Sequence, residues 1–348
     1  MPGGGVIDLL VVGGGPAGLA TAVHAALAGL ETVVLEQRPA PVDKACGEGL
    51  MPSAVRPLRE LGVELRGRPF HGIRYVEADG ARCAEARFTA GPGLGVRRTE
   101  LQAALAARAA ELGVRTVRGR AVAEVEQDAA GVRLGGLSAR HAVAADGLHS
   151  PLRRALGLHR PQRGGPAARY GLRRHYAVPP WSDLVEVHWA RHAEAYVTPV
   201  ADGVVGVAVL SGERAPFDRQ LARFPRLAER LPEAAAVSAV RGAGPLRQRA
   251  AARVAGRVLL VGDAAGYVDA LTGEGVAMAV ASAEALVRCV VAGRPEAYEQ
   301  AWRRVSRDYR LLTESLLWAR RRPLLADRIV PAAAALPALF RAGVNLLA

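Results

Sequence analysis

An α/β fold is predicted: a parallel sheet flanked by helices, with an inserted β-rich module and a helical C-terminal region. Three features of the sequence predict it. An apolar run at residues 7–12 leads through glycines into an alanine-rich helical pattern. Short β-rich stretches with Gly and Pro lie between residues 70 and 90 and between 170 and 210. From residue 295 onward the pattern is that of helices rich in Arg and Leu.

The parallel sheet is predicted from buried strands that alternate with helices. Residues 7–12 are the first strand, 17–29 an Ala-rich helix closed by a glycine, and 32–35 the second strand, which together form a βαβ unit. Further helices are predicted at 52–62, 101–112 and 275–291, and further strands at 114–117, 121–125 and 258–261.

The inserted module is predicted from strands at 184–189, 195–199 and 204–210. The predicted core domain comprises residues 1–70, 97–160 and 247–295, the inserted domain residues 71–96 and 161–246, and the helical region residues 296–348. A chain of 348 residues is long enough for a core domain and a smaller second module.

Composition excludes several classes of protein. Half of the residues are hydrophobic and 23% are charged, which is typical of a globular chain rather than a disordered one. The net charge of +13 comes almost entirely from arginines spread along the chain, since Lys44 is the only lysine. No basic block is interleaved with aromatic residues, so we expect no nucleic-acid partner.

Cysteine usage and the termini bear on location. Cys46, Cys83 and Cys289 are far apart and lack CxxC spacing, so no disulfide framework or metal site is expected. With no export pattern at the N-terminus, a cytoplasmic protein is expected.

Residues 329–348 are strongly apolar and follow three arginines at 320–322. They favour two short helices packed on the core; the alternative is peripheral membrane contact with anionic lipid through this tail.

A glycine-rich motif, GGGPAG at residues 13–18, lies at the first strand–helix junction. Gly13 makes the tight turn, Gly15 lets the backbone approach a pyrophosphate, and Gly18 allows close packing of helix and strand. Glu36 ends the second strand, where a carboxylate accepts hydrogen bonds from a ribose diol and repels a 2′-phosphate. This combination predicts dinucleotide binding.

A second motif, RVLLVGDAAGYVDALTGEG at residues 257–275, indicates which dinucleotide. It reads as a buried strand, then Asp263, then a glycine-containing loop that opens a helix. An aspartate at a strand end binds a polyol such as a ribityl chain, and a helix start offers free N–H groups to a pyrophosphate or a flavin carbonyl. The core is therefore predicted to be a Rossmann-like FAD-binding domain.

The sequence resembles the FAD-dependent monooxygenases of the aromatic-hydroxylase type and the related geranylgeranyl reductase-like flavoproteins. The resemblance rests on these two motifs and on RTELQAAL at residues 98–105 and ADGLHS at residues 145–150, in the family's order. It implies that Arg98 and Gln102 contact the FAD phosphate and ribityl region and that the backbone of Val122 meets the adenine. Asp146 is implied to support the fold around FAD and the nicotinamide donor, the alternative being a turn aspartate that caps local backbone.

The resemblance also places groups around the flavin ring. Asp263 is implied to bind the ribityl hydroxyl, and Gly273, Gly275 and Val276 to face the isoalloxazine. The loop DKACGEGL at residues 43–50 lies where the family has a loop beside the flavin. Lys44 in that loop would face phosphate or flavin, the alternative being a solvated lysine.

Candidate substrate-binding residues lie in the inserted module. Glu186 and His188 are two apart on a predicted strand and share a face, which suits joint binding of a phenol or a proton relay. The alternative is an exposed polar strand face. Tyr196 is the third candidate.

The expected function is an FAD-dependent monooxygenase that uses NAD(P)H and oxygen to hydroxylate or epoxidise a small hydrophobic substrate, whether aromatic, polyketide or isoprenoid. Catalysis would be mainly positioning and exclusion of water, so no dedicated catalytic residue is assigned. The alternative is a geranylgeranyl reductase-like enzyme acting on isoprenoid or lipid double bonds. Those reductases carry a tyrosine-tryptophan-phenylalanine-proline signature where this chain has EAYVTP at residues 194–199, which disfavours that reading. A nucleic-acid or membrane-surface binding protein is a minor alternative.

Overall fold

The structure is a computed structural model that describes residues 7–161 and 168–348. In chain order its strands are β1 Ile7–Val12, β2 Thr32–Glu36, β3 Gly49–Leu50, β4 Arg68–Phe70, β5 Gly72–Glu77, β6 Cys83–Arg87, β7 Gly93–Gly95, β8 Arg115–Arg118, β9 Glu126–Gln127, β10 Val132–Leu134, β11 Leu137–Ala144, β12 Tyr170–Tyr176, β13 Val185–Ala190, β14 Ala193–Ala201, β15 Val204–Ser211, β16 Arg241–Ala243, β17 Val254–Ala255 and β18 Val258–Leu260. Its α-helices are α1 Pro16–Leu27, α2 Pro52–Glu60, α3 Arg98–Glu111, α4 Pro151–Ala155, α5 Phe217–Leu221, α6 Pro225–Ala228, α7 Gly275–Val291, α8 Tyr298–Arg320, α9 Pro323–Ala326, α10 Ile329–Ala335 and α11 Pro337–Leu347. Short 3-10 helices lie at Glu233–Ala235, Gly262–Ala264 and Pro295–Ala297.

The main sheet confirms the predicted α/β class. Its strands run in the order β8-β2-β1-β11-β18, each parallel to its neighbours, with β17 antiparallel at one edge and the β9–β10 pair on β11. Because parallel strands end at the same edge of a sheet, the segments after β1, β11 and β18 meet there. These segments hold the glycine turn, Asp146 and Asp263.

The core of this part lies between the sheet and helices α1, α3 and α7. Leu9, Leu10 and Val11 of β1 are fully buried, as are Ala22 and Val23 of α1. Strands buried on both faces read as continuous apolar runs, which is why β1 and β2 could be predicted from the sequence.

The inserted module is a second sheet in the order β16-β12-β15-β14-β13-β5-β6, antiparallel except between β13 and β5. Its strands come from residues 72–87 and 170–243. Strands β3, β7 and β4 form a small third sheet. Along β13 successive side chains alternate between the two faces of the second sheet, and this alternation decides which of them meet the site.

The predicted strand at 121–125 is wrong. Residues 121–125 form no strand, although Val122 is buried in the core of the main domain. Val122 and Val125 pack on the core while Ala121 and Ala123 are exposed, so the hydrophobic pattern alone gave the wrong backbone structure.

The C-terminal region forms the predicted short helices, but α10 and α11 pack against β5 and β6 of the second sheet. Among the described residues no single helix is long and apolar enough to cross a membrane; Leu324–Ala335 and Pro337–Leu347 reach that length and composition only as a pair bent by 101°.

Candidate cofactor and substrate site

The glycine turn has the geometry that its sequence predicts. Gly13 has φ +116°, and a Cβ there would lie 2.2 Å from the Ala145 carbonyl oxygen. A Cβ on Gly18 would lie 1.8 Å from the Gly13 oxygen, so both positions require glycine. Gly15 is different, because a Cβ there would meet only the Arg98 guanidinium, at 3.7 Å. Gly15 therefore leaves open space at the N-terminus of α1, and no side chain within residues 7–161 and 168–348 caps it.

The side chains of Glu36 and Gln102 form hydrogen bonds with the backbone of this turn. The Gly14 N–H donates to Glu36 Oε2 at 2.6 Å, and the Arg38 N–H donates to Oε1 at 2.9 Å. Gln102 Nε2 donates to the Gly14 carbonyl at 3.3 Å. Both side chains are buried, and neither lines the cavity described below. Contacts of Glu36 with a ribose and of Gln102 with the ribityl region stay predictions.

Replacing Glu36 with alanine is expected to weaken FAD binding by about 1.5–3 kcal/mol, the range for hydrogen bonds to a charged group, because the Gly14 turn loses its acceptor. Glu36→Gln keeps one carbonyl acceptor and should lose less. Titration of the apoproteins with FAD, followed by flavin fluorescence, gives the affinities. Equal affinity for FAD in wild type and Glu36→Ala would remove Glu36 from the cofactor site.

A cavity of about 1770 Å³ lies between the carboxyl edge of the main sheet and the second sheet. At one end it is lined by Gly15, Lys44, Arg98 and Asp263. Burial lowers the pKa of Arg98, and its Nη1 has no hydrogen-bond partner among the described residues. Burial together with nearby Arg38 also lowers the pKa of Lys44. Two desolvated cations beside an open helix N-terminus fit the pyrophosphate of a dinucleotide.

Asp263 lies in the same end of the cavity, at the start of the Gly262–Ala264 turn. Burial raises the pKa of its carboxyl group, and the charges of Lys44 and Arg98 oppose that rise. A carboxylate in this position can accept hydrogen bonds from the hydroxyls of a polyol. The arrangement fits the ribityl chain that the sequence predicts.

Asp146 has the local capping role considered for it and also lines the cavity. Its Oδ2 accepts the Leu152 N–H at 3.0 Å, which is the local capping role, while its Oδ1 is buried without a partner among the described residues. Asp146 also lines the cavity. The capping role is thus seen, and contact with FAD stays a prediction.

Arg153, which sequence reasoning missed, joins the two aspartate motifs. Its fully buried guanidinium donates to the carbonyls of Leu148 at 2.8 Å and Ala264 at 3.0 Å, and to Gln248 Oε1 at 2.8 Å. Arg153 thereby fixes the Asp146 loop against the Asp263 loop. The only available signal was an arginine inside a helix that follows the ADGLHS motif.

The loop at residues 43–50 is held by a buried polar network that sequence reasoning also missed. Glu48, at φ +62°, accepts from the Arg98 N–H at 2.8 Å and bonds His175 Nε2 at 2.6 Å. Arg173 pairs with Asp43 and lies 3.7 Å from Glu48. Glu48 was part of a motif already singled out, but His175 and Arg173 are over a hundred residues away and only folding brings them there.

The glycine loop before α7 faces the cavity as expected. Gly273, Gly275 and Val276 line it, and their contact with the isoalloxazine stays a prediction. Val122 does not line it, and the contact of its backbone with the adenine also stays a prediction. Between the glycines, burial raises the pKa of Glu274 to about 7, and its Oε2 has no partner among the described residues.

The other end of the cavity is apolar and differs from what the sequence suggested. Val185 and Val187 of β13 line it, so Glu186 and His188 lie on the opposite face of the strand. Glu186 there accepts hydrogen bonds from Arg74 at 2.9 Å and Trp181 at 3.0 Å and contacts His188 at 3.1 Å. Placing these two residues in this cavity is therefore corrected.

The charge state of Glu186 also argues against a proton relay. Burial acts to raise its pKa, but the hydrogen bonds from His188, Trp181 and Arg74 outweigh that effect and lower the pKa to about 2. The carboxylate stays ionised at neutral pH. The contacts hold β13 to neighbouring elements, which is a structural role.

Tyr196 does line the cavity, and its hydroxyl donates to the Leu271 carbonyl at 2.8 Å. The phenols of Tyr75 and Tyr267 also line the cavity and were not predicted. Burial raises the pKa of all three. They are neutral and add hydrogen-bonding groups to otherwise apolar walls.

A Rossmann-like fold whose cavity carries desolvated cations at an open helix N-terminus defines a dinucleotide-binding protein, and its family and relatives make it an FAD-dependent oxidoreductase. The chain belongs to the family described as FAD binding domain, whose model matches residues 6–294. It is 31% identical over 340 residues to a menaquinone reductase of Mycolicibacterium smegmatis, covering 85% of this chain and 79% of that protein. It is also 34% identical over 168 residues to an FAD-dependent monooxygenase of Beauveria bassiana, covering 43% of this chain and 39% of that protein.

One solved structure with the same fold is a geranylgeranyl bacteriochlorophyll reductase-like protein of Thermoplasma acidophilum, with TM-score 0.77 and 22% identity. The match covers 93% of this chain and 90% of that one. The resemblance to monooxygenase and geranylgeranyl reductase-like flavoproteins is confirmed at the level of the family. The cofactor is FAD.

Proposed function

We propose that this protein is an FAD-dependent monooxygenase that uses NAD(P)H and oxygen to hydroxylate or epoxidise a hydrophobic substrate. The observation that carries the proposal is the composition of β14 along the cavity. Tyr196 and Thr198 line the cavity, and the stretch EAYVTP that contains them keeps one aromatic residue and lacks the tryptophan and phenylalanine of the reductase signature. The change from that signature thus falls among the residues that would touch the substrate.

FAD, when bound, supplies the transfer of electrons from NAD(P)H to oxygen. The chain's own residues bind and orient the reactants. Lys44 and Arg98 hold negative charge at one end of the cavity, and apolar side chains such as Val187 and Leu316 exclude water at the other. No side chain needs to act as an acid or base for this role.

The second candidate is a reductase that adds hydrogen across an isoprenoid double bond. The extended match to a protein named menaquinone reductase supports a reductase, since that match covers more of the chain than the monooxygenase match. Both candidates need the same flavin site and an apolar cavity. The fate of oxygen separates them.

Incubation of the FAD-loaded protein with NAD(P)H, isotopically labelled oxygen and an alkyl phenol is expected to give a product carrying one labelled oxygen atom. The other oxygen atom leaves as water, and one NAD(P)H is oxidised for each product. Mass spectrometry of the product checks this. A prenyl quinone supplied in parallel under anaerobic conditions, whose side chain gains two hydrogens that remain after the ring is reoxidised in air, would instead establish the reductase.

A further inference from the structure

The bend between α10 and α11 exposes a continuous apolar segment. All six residues at 334–339, AALPAL, are exposed, and none of them is polar. Leu336 is 55% exposed and Leu339 is 67% exposed. We call residues 334–339 the apolar tip. A soluble surface rarely presents several consecutive apolar residues without a binding role.

Basic residues flank the apolar tip on both sides in the sequence. Within residues 321–341 one acidic residue, Asp327, is exposed. Four arginines of the same range are exposed: Arg321, Arg322, Arg328 and Arg341. Among the described residues none of these four arginines forms a salt bridge. Arg322 lies over the ring of the half-exposed Trp318, with 3.7 Å from its guanidinium carbon to the ring centroid. Leucines bordered by arginine and tryptophan are the composition of helices that lie in an anionic membrane interface.

The apolar tip is continuous with the substrate end of the cavity. Leu336 and Leu339 line the cavity as well as being exposed, and Phe340 and Val344 continue the lining inward. Phe340 packs on Tyr75 of β5, with ring centroids 4.7 Å apart. One helix pair therefore presents apolar side chains to the exterior and to the cavity.

We propose that the apolar tip docks on the surface of an anionic lipid bilayer and that apolar substrate passes from the bilayer past α10 and α11 into the cavity. The leucines of the tip enter the boundary of the acyl region, and the four arginines contact lipid phosphates. The docking stands by itself, whereas the passage of substrate rests on the proposed function. The bend of 101° between the helices suits a segment lying in the interface.

Flotation of the full-length, FAD-loaded protein with vesicles tests the docking. We expect binding to vesicles of equal parts phosphatidylglycerol and phosphatidylcholine, and weaker binding to phosphatidylcholine alone. The double change Leu336→Glu and Leu339→Glu should weaken binding by roughly tenfold or more, because two apolar side chains no longer leave water. Arg328→Glu with Arg341→Glu should remove the preference for phosphatidylglycerol.

A matched control places the same charges elsewhere. Leu27→Glu with Val291→Glu changes two apolar residues at the ends of α1 and α7 that are 50% and 54% exposed. This variant should float like the wild type. Flavin content and thermal unfolding verify that all variants are folded.

Two results would overturn the docking proposal: a wild type that does not float with either vesicle, or a double leucine variant that floats as well as the wild type. Light scattering of the protein without vesicles tests whether the apolar tip instead binds a second copy of the chain. If the wild type is a dimer that the leucine changes dissociate, the tip is a contact between copies of the chain, and the bilayer proposal is wrong. None of these readouts depends on turnover, so they stand apart from the test of the proposed function.

Discussion

Gly15→Val is expected to weaken FAD binding by about a hundredfold or more while leaving the protein folded. Gly15 has φ −82° and ψ 179°, a conformation open to any residue, and a Cβ there has 3.7 Å to its nearest neighbour. The added side chain occupies the space in front of the α1 N-terminus and separates the phosphates from the N–H groups. Two charge-assisted hydrogen bonds are worth roughly 3 kcal/mol or more together, about a hundredfold in affinity.

Two other glycines provide the contrast. Gly18→Ala should destabilise the fold itself by about 3 kcal/mol, because its Cβ would collide with the Gly13 carbonyl oxygen. Gly203→Val, at an open position between β14 and β15, should alter neither the stability of the fold nor the affinity for FAD. Thermal unfolding separates these cases from loss of FAD, which is measured by titration. Full FAD affinity in Gly15→Val would show that the pyrophosphate lies elsewhere.

The second large effect concerns the length of the substrate. In a series of alkyl phenols, kcat/KM is expected to rise about fourfold for each added methylene, since burying one CH2 contributes about 0.8 kcal/mol. The increase should stop when the apolar end of the cavity is full. Four methylenes would then give a gain on the order of a hundredfold.

Benzoates should be poor substrates if they bind among the apolar side chains. Arg173, which lines the cavity, is bound to Asp43, and Arg174 is bound to Glu233 on the exterior. A small carboxylate among the apolar side chains would be an unpaired buried charge, which is costly.

Substrate-stimulated NAD(P)H oxidation and product formation across the series measure these effects. Ala333→Phe, which fills space at a buried lining position, should remove the gain from long chains and spare short phenols. Efficient turnover of benzoates, with no gain from longer chains, would contradict the apolar-substrate proposal.

The cofactor half of this site was readable from the sequence because its parts are local. The glycine turn, Asp263 and the loop before α7 each lie at the end of a buried parallel strand or the start of the helix that follows. Strand order then brings these ends together at one edge of the sheet, whatever the rest of the chain does. Gly13 and Gly18 pack closely against each other, and both lie in the same short segment of the sequence.

The substrate half depends on partners distant in sequence. The sequence showed that Glu186 and His188 share a face of β13, but it could not show which face turns toward FAD. Tertiary structure decides this, because Arg74 on the neighbouring strand and Trp181 supply hydrogen bonds that a buried carboxylate requires, and they lie on the side away from the cavity. Val185 and Val187 then face the cavity by alternation. The same reasoning applies to α10 and α11, whose apolar sequence predicted short helices but whose position against β5 and β6 makes them a wall of the cavity.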